Sequence, residues 1–286
     1  MPSEEAGRLP AEEAFDWNAA WKERQLRRRH DDSLEFWNGK APSFAKTAGT
    51  SPYARDFMER ADVQPGDTVL DMGCGSGTLA LPYARNGIEV WAADFSPVML
   101  ELMMKRAVEE GLGDLVHPIR LSWNDDWDAA DTVVPVCDIA IASRSMAADD
   151  LQDALVKLSS RARKRVCVTL GTDSSPRTDE VLLRAVGRPV ERFSDYVFGM
   201  NILWALGYQP SLSYIRSQRS SCFESPEEAV SKTAMLMEAT PEERARLEQY
   251  AAEHLVTDVD KYGAPCWRFD HTRVTSWAFI SWDTAH

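Results

Sequence analysis

The segment from Val69 to Leu79 constrains the fold more than any other part of the chain. It reads VLDMGCGSGTL, so an apolar strand runs into three alternate glycines and then into a helix-like segment. Glycine allows positive φ and lets the backbone pass close to a ligand, because no Cβ stands in the way. The pattern predicts a strand, a turn that can cradle a ligand, and a helix in succession.

An acidic residue follows at an informative distance. Asp94 stands 21 residues after Gly73, at the end of a second apolar run over residues 88–93. In a doubly wound α/β sheet this is where the carboxylate that binds a ribose diol lies. The chain is therefore expected to bind a cofactor that contains adenosine.

The glycine spacing distinguishes between two such cofactors. The dinucleotide fingerprint G-x-G-x-x-G has its third glycine where this chain has Thr78, whereas Gly77 comes one residue earlier. Asp71 also precedes the first glycine by two residues. A carboxylate repels a pyrophosphate in a cleft of low dielectric constant but stabilises a sulfonium or an α-amino group. This favours a sulfonium cofactor; NAD, or a glycine turn without a ligand, is the alternative.

The segment DMGCGSG, which starts at Asp71, resembles motif I (D-x-G-x-G-x-G) of the class I S-adenosylmethionine-dependent methyltransferases. The segment DFSPVML, which starts at Asp94, is similar to the stretch after strand two in that family. The resemblance implies an S-adenosylmethionine-dependent enzyme with an α/β, Rossmann-like sheet in the order 3-2-1-4-5-7-6 and helices on both faces. It covers residues 60–175 well, is loose over the last two strands and is weak over residues 1–50.

Composition agrees with a soluble, globular protein. Hydrophobic residues make up 44% and charged residues 27% of the chain, and no apolar run approaches the length of a membrane span. The acidic segment Met1–Glu5 lacks the basic and apolar regions of a signal peptide. The five cysteines are odd in number and have no C-x-x-C spacing. We expect reduced thiols, no metal site and a cytoplasmic location.

The charge balance disfavours nucleic acid as a partner. The chain has 32 basic and 45 acidic residues, a net charge of −13, whereas binding to nucleic acid requires neutralised phosphates. The densest basic stretch, Lys22–Arg29, is interpreted as a solvated helix face; the alternative is a docking patch for a protein or an RNA. No membrane partner is expected, and the oligomeric state is left open, with a homodimer as one possibility.

Alternating strand and helix patterns begin after residue 67 and predict a parallel sheet covered on both faces. Strands are predicted at 68–72, 88–93, 115–121, 137–143 and 165–170, followed by two longer ones at 211–224 and 274–283. Pro118 cannot donate a hydrogen bond to a sheet ladder and belongs on an edge strand, which is the place of strand three in the class I order.

The ends of the chain are expected to add helices to this sheet. Residues 1–60 are predicted to form an N-terminal helical lid, and residues 61–286 the methyltransferase domain. Prolines that follow hydroxyl N-caps predict helices at roughly 225–238 and 241–254, within a helical insert over about 225–262 between the last two strands. Trp17 and Trp21 share a helix face, which could pack on the lid or form a dimer contact.

The cofactor is expected beyond the carboxyl ends of the strands, where the strand order reverses. There the N–H groups of Gly73–Gly77 would face the methionine carboxylate, Asp71 its amine and Asp94 the ribose. The complete expected set is Asp71, Gly73, Cys74, Gly75, Gly77, Asp94, Phe95, Ser96, Trp123, Asn124, Asp125 and Ser143.

Several members of this set have plainer interpretations. Asp71 could cap the following helix, and Asp94 could cap the helix that starts at Pro97. Trp123 could be a core residue rather than a stacking partner of adenine. Cys74 is interpreted as a packing residue rather than a nucleophile.

The acceptor end of the site gives a weaker signal. Strand four ends in ASRSM at residues 142–146, which departs from the N-P-P-[YF] box of methyltransferases that act on nucleic-acid bases. Methyl transfer mainly requires alignment and exclusion of water, with a general base only where the acceptor must lose a proton. The candidate catalytic residues are Arg144, suited to an anionic group or paired on the surface, and Asp173, Tyr53 and His30. The sequence predicts a methyltransferase that acts on a small molecule; the alternatives are a protein or RNA methyltransferase and a non-catalytic binding protein.

Overall fold

The computed structural model describes residues 15–27, 33–45, 52–129, 134–173, 179–190, 193–219, 221–260 and 262–284. Within these ranges the helices are α1 Trp17–Arg27, α2 Leu34–Ala45, α3 Pro52–Ala61, α4 Ala80–Arg85, α5 Pro97–Glu109, α6 Leu151–Ser160, α7 Glu180–Ala185, α8 Asp195–Ala205, α9 Pro226–Leu236 and α10 Pro241–His254. The strands are β1 Thr68–Met72, β2 Glu89–Asp94, β3 Val116–Arg120, β4 Cys137–Ser143, β5 Ala162–Asp173, β6 Phe193–Ser194, β7 Ser211–Arg219, β8 Leu255–Val259, β9 Pro265–Phe269 and β10 Arg273–Asp283.

The main sheet has the order β3-β2-β1-β4-β5-β10-β7, and the short β6 pairs with β5. Because β7 and β10 are the sixth and seventh predicted strands, the order 3-2-1-4-5-7-6 is confirmed. The pairs β1–β2, β1–β4, β2–β3 and β4–β5 are parallel. Pro118 lies on the edge strand β3, opposite Ala92 of β2, as its missing N–H predicts.

The described residues form two compact units. The first comprises the described parts of Met1–Leu170, Asp195–Ser213 and Phe279–His286, and the second comprises those of Gly171–Ser194 and Tyr214–Ala278. No helix within the described ranges is long and apolar enough to cross a membrane.

The first unit packs its apolar strands against helices from distant parts of the chain. Leu70 of β1 and Val168 of β5 are fully buried in one cluster with Trp21. The ring of Phe198 on α8 lies 5.9 Å from the Trp17 ring and 5.8 Å from the Trp21 ring. The predicted tryptophan face therefore packs within this unit, where it joins α1 to α8.

The second unit has a smaller core built from α7, α9, α10 and β9, with Leu182, Val230, Leu247 and Phe269 among its buried residues. The two predicted helices of the insert are confirmed as α9 and α10. The structure adds a two-stranded antiparallel sheet, β8–β9, which the helical interpretation of 225–262 did not include. Strand β8 follows α10 without a break, so no turn signal separated the two patterns.

Candidate cofactor and methyl-transfer site

The turn after β1 has the backbone that its glycines predict. Gly73, Gly75 and Gly77 have φ of +73°, +55° and +85°, a region that side chains other than glycine rarely adopt. A Cβ on Gly73 would lie 2.2 Å from the Ser145 Cβ, and one on Gly77 would lie 2.8 Å from the Leu81 Cγ. Glycine is thus required at two positions by both packing and conformation, and at Gly75 by conformation.

Most N–H groups of this turn donate within the protein. The N–H groups of Gly73 and Cys74 both donate to the carbonyl of Ala93, at 2.7 and 3.0 Å, and that of Gly77 donates to the carbonyl of Cys74 at 3.1 Å. These N–H groups fix the turn to the end of β2. The expectation that the whole row faces a ligand carboxylate was therefore wrong for these members of the turn.

Asp94 links the two strand ends. Its Oδ2 accepts a hydrogen bond from the N–H of Gly75 at 2.8 Å, and its Oδ1 accepts one from the N–H of Ser96 at 2.9 Å. The side chain is 6% exposed, and burial raises its pKa while the N–H donors oppose that rise. Ser96, and not Asp94, caps α5, because its Oγ accepts from the N–H of Met99.

Within the described part of the chain, no side-chain capping hydrogen bond forms at Leu79, the N-cap of α4, although the N–H of Ala80 lies near enough to Asp71 to oppose the rise in its pKa. The helix-capping interpretation of Asp71 stays a prediction. The Oδ2 of Asp71 is buried and has no hydrogen-bond partner among the described residues. Burial, together with the charge of Asp94, raises the pKa of Asp71 to about 7. The two carboxyl groups are therefore close enough to interact.

Two buried polar atoms near this turn that lack a hydrogen-bond partner among the described residues fit the α-amino acid group of a ligand. Besides Asp71 Oδ2, the Oγ of Ser76 is buried and has no partner among the described residues. A buried polar atom without a partner costs free energy that a ligand can recover. An ammonium can donate to Asp71, and a carboxylate can accept from Ser76. S-adenosylmethionine carries both groups, together with a ribose for Asp94.

The segment after β3 is organised mainly by contacts within the protein. Trp123 is buried and stacks on Trp127 with ring centroids 5.7 Å apart, and its Nε1–H donates to the carbonyl of Ser145. This supports the core interpretation of Trp123. Asp125 Oδ2 accepts from the N–H of Ser122 at 2.8 Å. Asn124 Nδ2 donates to the Oδ2 of Asp149 at 3.0 Å.

A compact cluster lies at the carboxyl ends of β4 and β5. The hydroxyl of Tyr53 shares hydrogen bonds with Ser143 Oγ and Thr169 Oγ1, both at 2.9 Å. Arg144 has a left-handed φ of +58°, and its N–H donates to Thr169 Oγ1. Its guanidinium carbon lies 4.2 Å from the centroid of the Tyr53 ring, within cation–π range. The side chain of Arg144 is therefore held in one place by its backbone and by an aromatic face.

This cluster borders the glycine turn. Ser145, the residue after Arg144, donates from Oγ to the carbonyl of Met72 at 2.7 Å and is the residue that a Cβ on Gly73 would contact. The Tyr53–Arg144 cluster and the carboxylates therefore lie on neighbouring strand ends, where the sheet order reverses.

The remaining candidates have other outcomes. His30 and the side chain of Asp173 lie outside the described residues. Cys74 is buried, and burial raises the pKa of its thiol well above the ordinary value, which agrees with a packing role. Phe95 is half-buried beside Asp94. A cavity of about 720 Å³ between α3 and the α4–β2 turn is lined by neither Asp71 nor Arg144.

Sequence reasoning missed two residues near the site. Thr169 is a buried polar residue in the apolar run of β5, and that interruption was an available signal. Asn38 of α2 accepts from Ser96 Oγ at 2.7 Å, which joins the N-terminal helices to the end of β2. Its partner is 58 residues away in the chain, so local patterns could not indicate the contact.

Known proteins are similar to this chain in sequence and in fold. Residues 69–165 match the family model described as a methyltransferase domain. An uncharacterized protein of Haemophilus influenzae is 36% identical over 190 residues, a match that covers 66% of this chain and 68% of that protein. Nocamycin O-methyltransferase of Saccharothrix syringae is 32% identical over 100 residues, or 34% of this chain and 33% of that protein.

A solved structure has the same fold. A candidate methyltransferase of Bacillus halodurans superposes with a TM-score of 0.50 at 12% identity, covering 82% of this chain and 99% of that one. With the glycine turn, the paired carboxyl groups and the sheet order, these matches show that the chain belongs to the class I S-adenosylmethionine-dependent methyltransferases.

Proposed function

We propose that the protein transfers the methyl group of S-adenosylmethionine to a small acceptor that carries a carboxylate or a phosphate. The observation that carries this proposal is the placement of Arg144. Its guanidinium lies over the ring of Tyr53, one residue from the contact with the glycine turn. A planar guanidinium recognises carboxylate and phosphate groups by paired hydrogen bonds.

The cofactor supplies an electrophilic methyl group on a sulfonium. In this proposal Asp71 and Ser76 hold the amino acid end of the cofactor through their unfilled polar atoms, and Asp94 lies at the ribose. Arg144 orients the acceptor by its anionic group. Since alignment supplies much of the rate of such a displacement, a fixed side chain at this place serves the reaction directly.

Tyr53 acts by positioning rather than as a base. Burial raises the pKa of its hydroxyl, and the charge of Arg144 reverses that rise only in part. The phenol therefore stays protonated near neutral pH, where it holds Ser143 and Thr169. Because a protonated phenol cannot accept a proton from the acceptor, the cluster suits an acceptor atom that needs no base, such as a carboxylate oxygen or a thiolate.

The alternative of docking on RNA or on an acidic protein has little support. Lys22 pairs with Asp150 at 2.5 Å, Arg24 with Asp195 at 2.9 Å, and Arg27 with Glu23 at 2.5 Å. Arg28 and Arg29 lie outside the described residues. The described part of the basic stretch is thus neutralised by neighbouring acids, and the chain as a whole is acidic.

The test is a release assay for S-adenosylhomocysteine with small carboxylates and phosphates, each paired with a neutral analogue. We expect turnover with anionic acceptors and a decrease in kcat/KM of about 10- to 100-fold in Arg144→Gln, with Arg144→Lys in between. Calorimetry with S-adenosylhomocysteine should give the same affinity for all three proteins. Faster turnover of the neutral analogues, or methylation of RNA instead, would overturn the proposal.

A further inference from the structure

Two of the five cysteines lie side by side in the second unit. Cys222 precedes α9, and Cys266 is the second residue of β9. The residues that follow them, Phe223 and Trp267, form an antiparallel bridge in which each N–H donates to the other carbonyl at 2.8 Å. This bridge fixes the register between the two segments.

The register places both thiols on one face. Side chains alternate along extended segments, so Cys222 and Cys266 both lie on the face opposite Phe223 and Trp267. They are diagonal neighbours, for which Cα atoms are roughly 7–8 Å apart and longer side chains are still in reach. The two sulfur atoms are close enough to interact.

The two thiols differ in their access to solvent. Cys222 is exposed, whereas Cys266 is 7% exposed. Cys222 also lines a cavity of about 440 Å³, in whose wall Lys232 pairs with Glu228 and Arg268 pairs with Asp258. The neighbouring Cys222 sulfur, together with burial, raises the pKa of the Cys266 thiol. An oxidant therefore meets Cys222 first.

We propose that Cys222 and Cys266 form a reversible disulfide by exchange with a small disulfide. Cys222 loses its proton to solvent, and its thiolate attacks one sulfur of the small disulfide. A mixed disulfide forms on Cys222, the S–S bond of the small disulfide breaks, and the leaving thiolate takes up a proton to become the first thiol. The Cys266 sulfur then attacks the Cys222 sulfur and displaces the second thiol, while its proton passes to solvent. In total two protein thiols are oxidised, and one small disulfide is reduced to two thiols.

The test uses the full chain in buffers with increasing ratios of oxidised to reduced glutathione, followed by alkylation and peptide mass mapping. We expect a cross-linked pair of peptides that contain Cys222 and Cys266, lighter by two hydrogens and restored by dithiothreitol. The buried Cys74, Cys137 and Cys167 serve as internal controls and should stay reduced.

Two matched variants identify the order of the steps. Cys266→Ser should stop at a glutathione adduct on Cys222, and Cys222→Ser should not react. Two results would overturn the proposal: accumulation of that adduct in the unaltered protein while Cys266 remains open to alkylation, or two free thiols at every glutathione ratio. Circular dichroism of both variants checks that the fold is retained.

Discussion

Replacement of Asp71 by asparagine tests the electrostatics of the glycine turn. Burial, with the charge of Asp94, raises the pKa of Asp71 from 3.8 to about 7. The folded protein therefore keeps a proton that the unfolded chain releases once the pH exceeds 3.8. Its stability must fall as the pH rises through this window, because unfolding then releases that proton. The amide introduced by Asp71→Asn cannot ionise, so the variant lacks this contribution.

The magnitude follows from the shift. One pKa unit corresponds to about 1.4 kcal/mol, so the roughly two units between pH 5 and pH 7 amount to about 3 kcal/mol. The free energy of unfolding of the unaltered protein should therefore decrease by about 3 kcal/mol more than that of Asp71→Asn between pH 5 and pH 8. Urea unfolding of both proteins at a series of pH values measures this difference directly, because all other titrating groups are shared. Parallel stability curves would refute the reasoning.

The same carboxyl links cofactor binding to pH. A ligand ammonium favours the ionised form of Asp71, so binding of S-adenosylhomocysteine should release a proton near pH 6 and should weaken by up to about tenfold for each pH unit below 7. Calorimetry in two buffers of different ionisation enthalpy counts that proton. Asp71→Asn should bind more weakly and release none. An unchanged affinity would show that Asp71 does not bind the cofactor.

Three further substitutions test the packing of the site. Gly73→Ala should lower the free energy of unfolding by about 3 kcal/mol, because its Cβ meets Ser145 and its φ is left-handed. The matched Gly75→Ala, whose Cβ would lie 4.0 Å from the Met99 sulfur in an ordinary contact, should lose about 1 kcal/mol. Equal midpoints of the two variants in urea would contradict this. Tyr53→Phe removes both hydrogen bonds of the buried hydroxyl and should cost about 1–2 kcal/mol in urea unfolding, with the affinity for S-adenosylhomocysteine unchanged.

The parts of the fold that sequence could predict are those set by short-range chemistry. The three glycines indicated a turn that only glycine can form, and positive φ at all three confirms it. Pro118 indicated an edge strand because a missing N–H has the same consequence in any sheet. The hydroxyl cap of Ser96 likewise depends on a few adjacent residues.

The parts that sequence could not predict depend on contacts between distant residues. Tyr53 meets Thr169 across 116 residues of chain, and no local pattern encodes such a meeting. Asp125 shows a second difficulty, which is local. Its carboxylate accepts a hydrogen bond from the N–H of Ser122, as short polar side chains often do in turns. The presence of a polar residue in the expected segment therefore did not show whether its side chain could bind the cofactor or was already hydrogen-bonded within the protein.

The position of the insert within the sheet has a consequence for how this enzyme can change. Strands β7 and β10 are neighbours although residues 220–272 separate them in the chain. The entropy cost of closing a segment between two fixed ends rises slowly with its length. Segments of very different length can therefore be exchanged between β7 and β10 without altering the strand order. Natural selection can therefore change the segment between β7 and β10, including Cys222 and Cys266, while the glycine turn at the cofactor site is preserved.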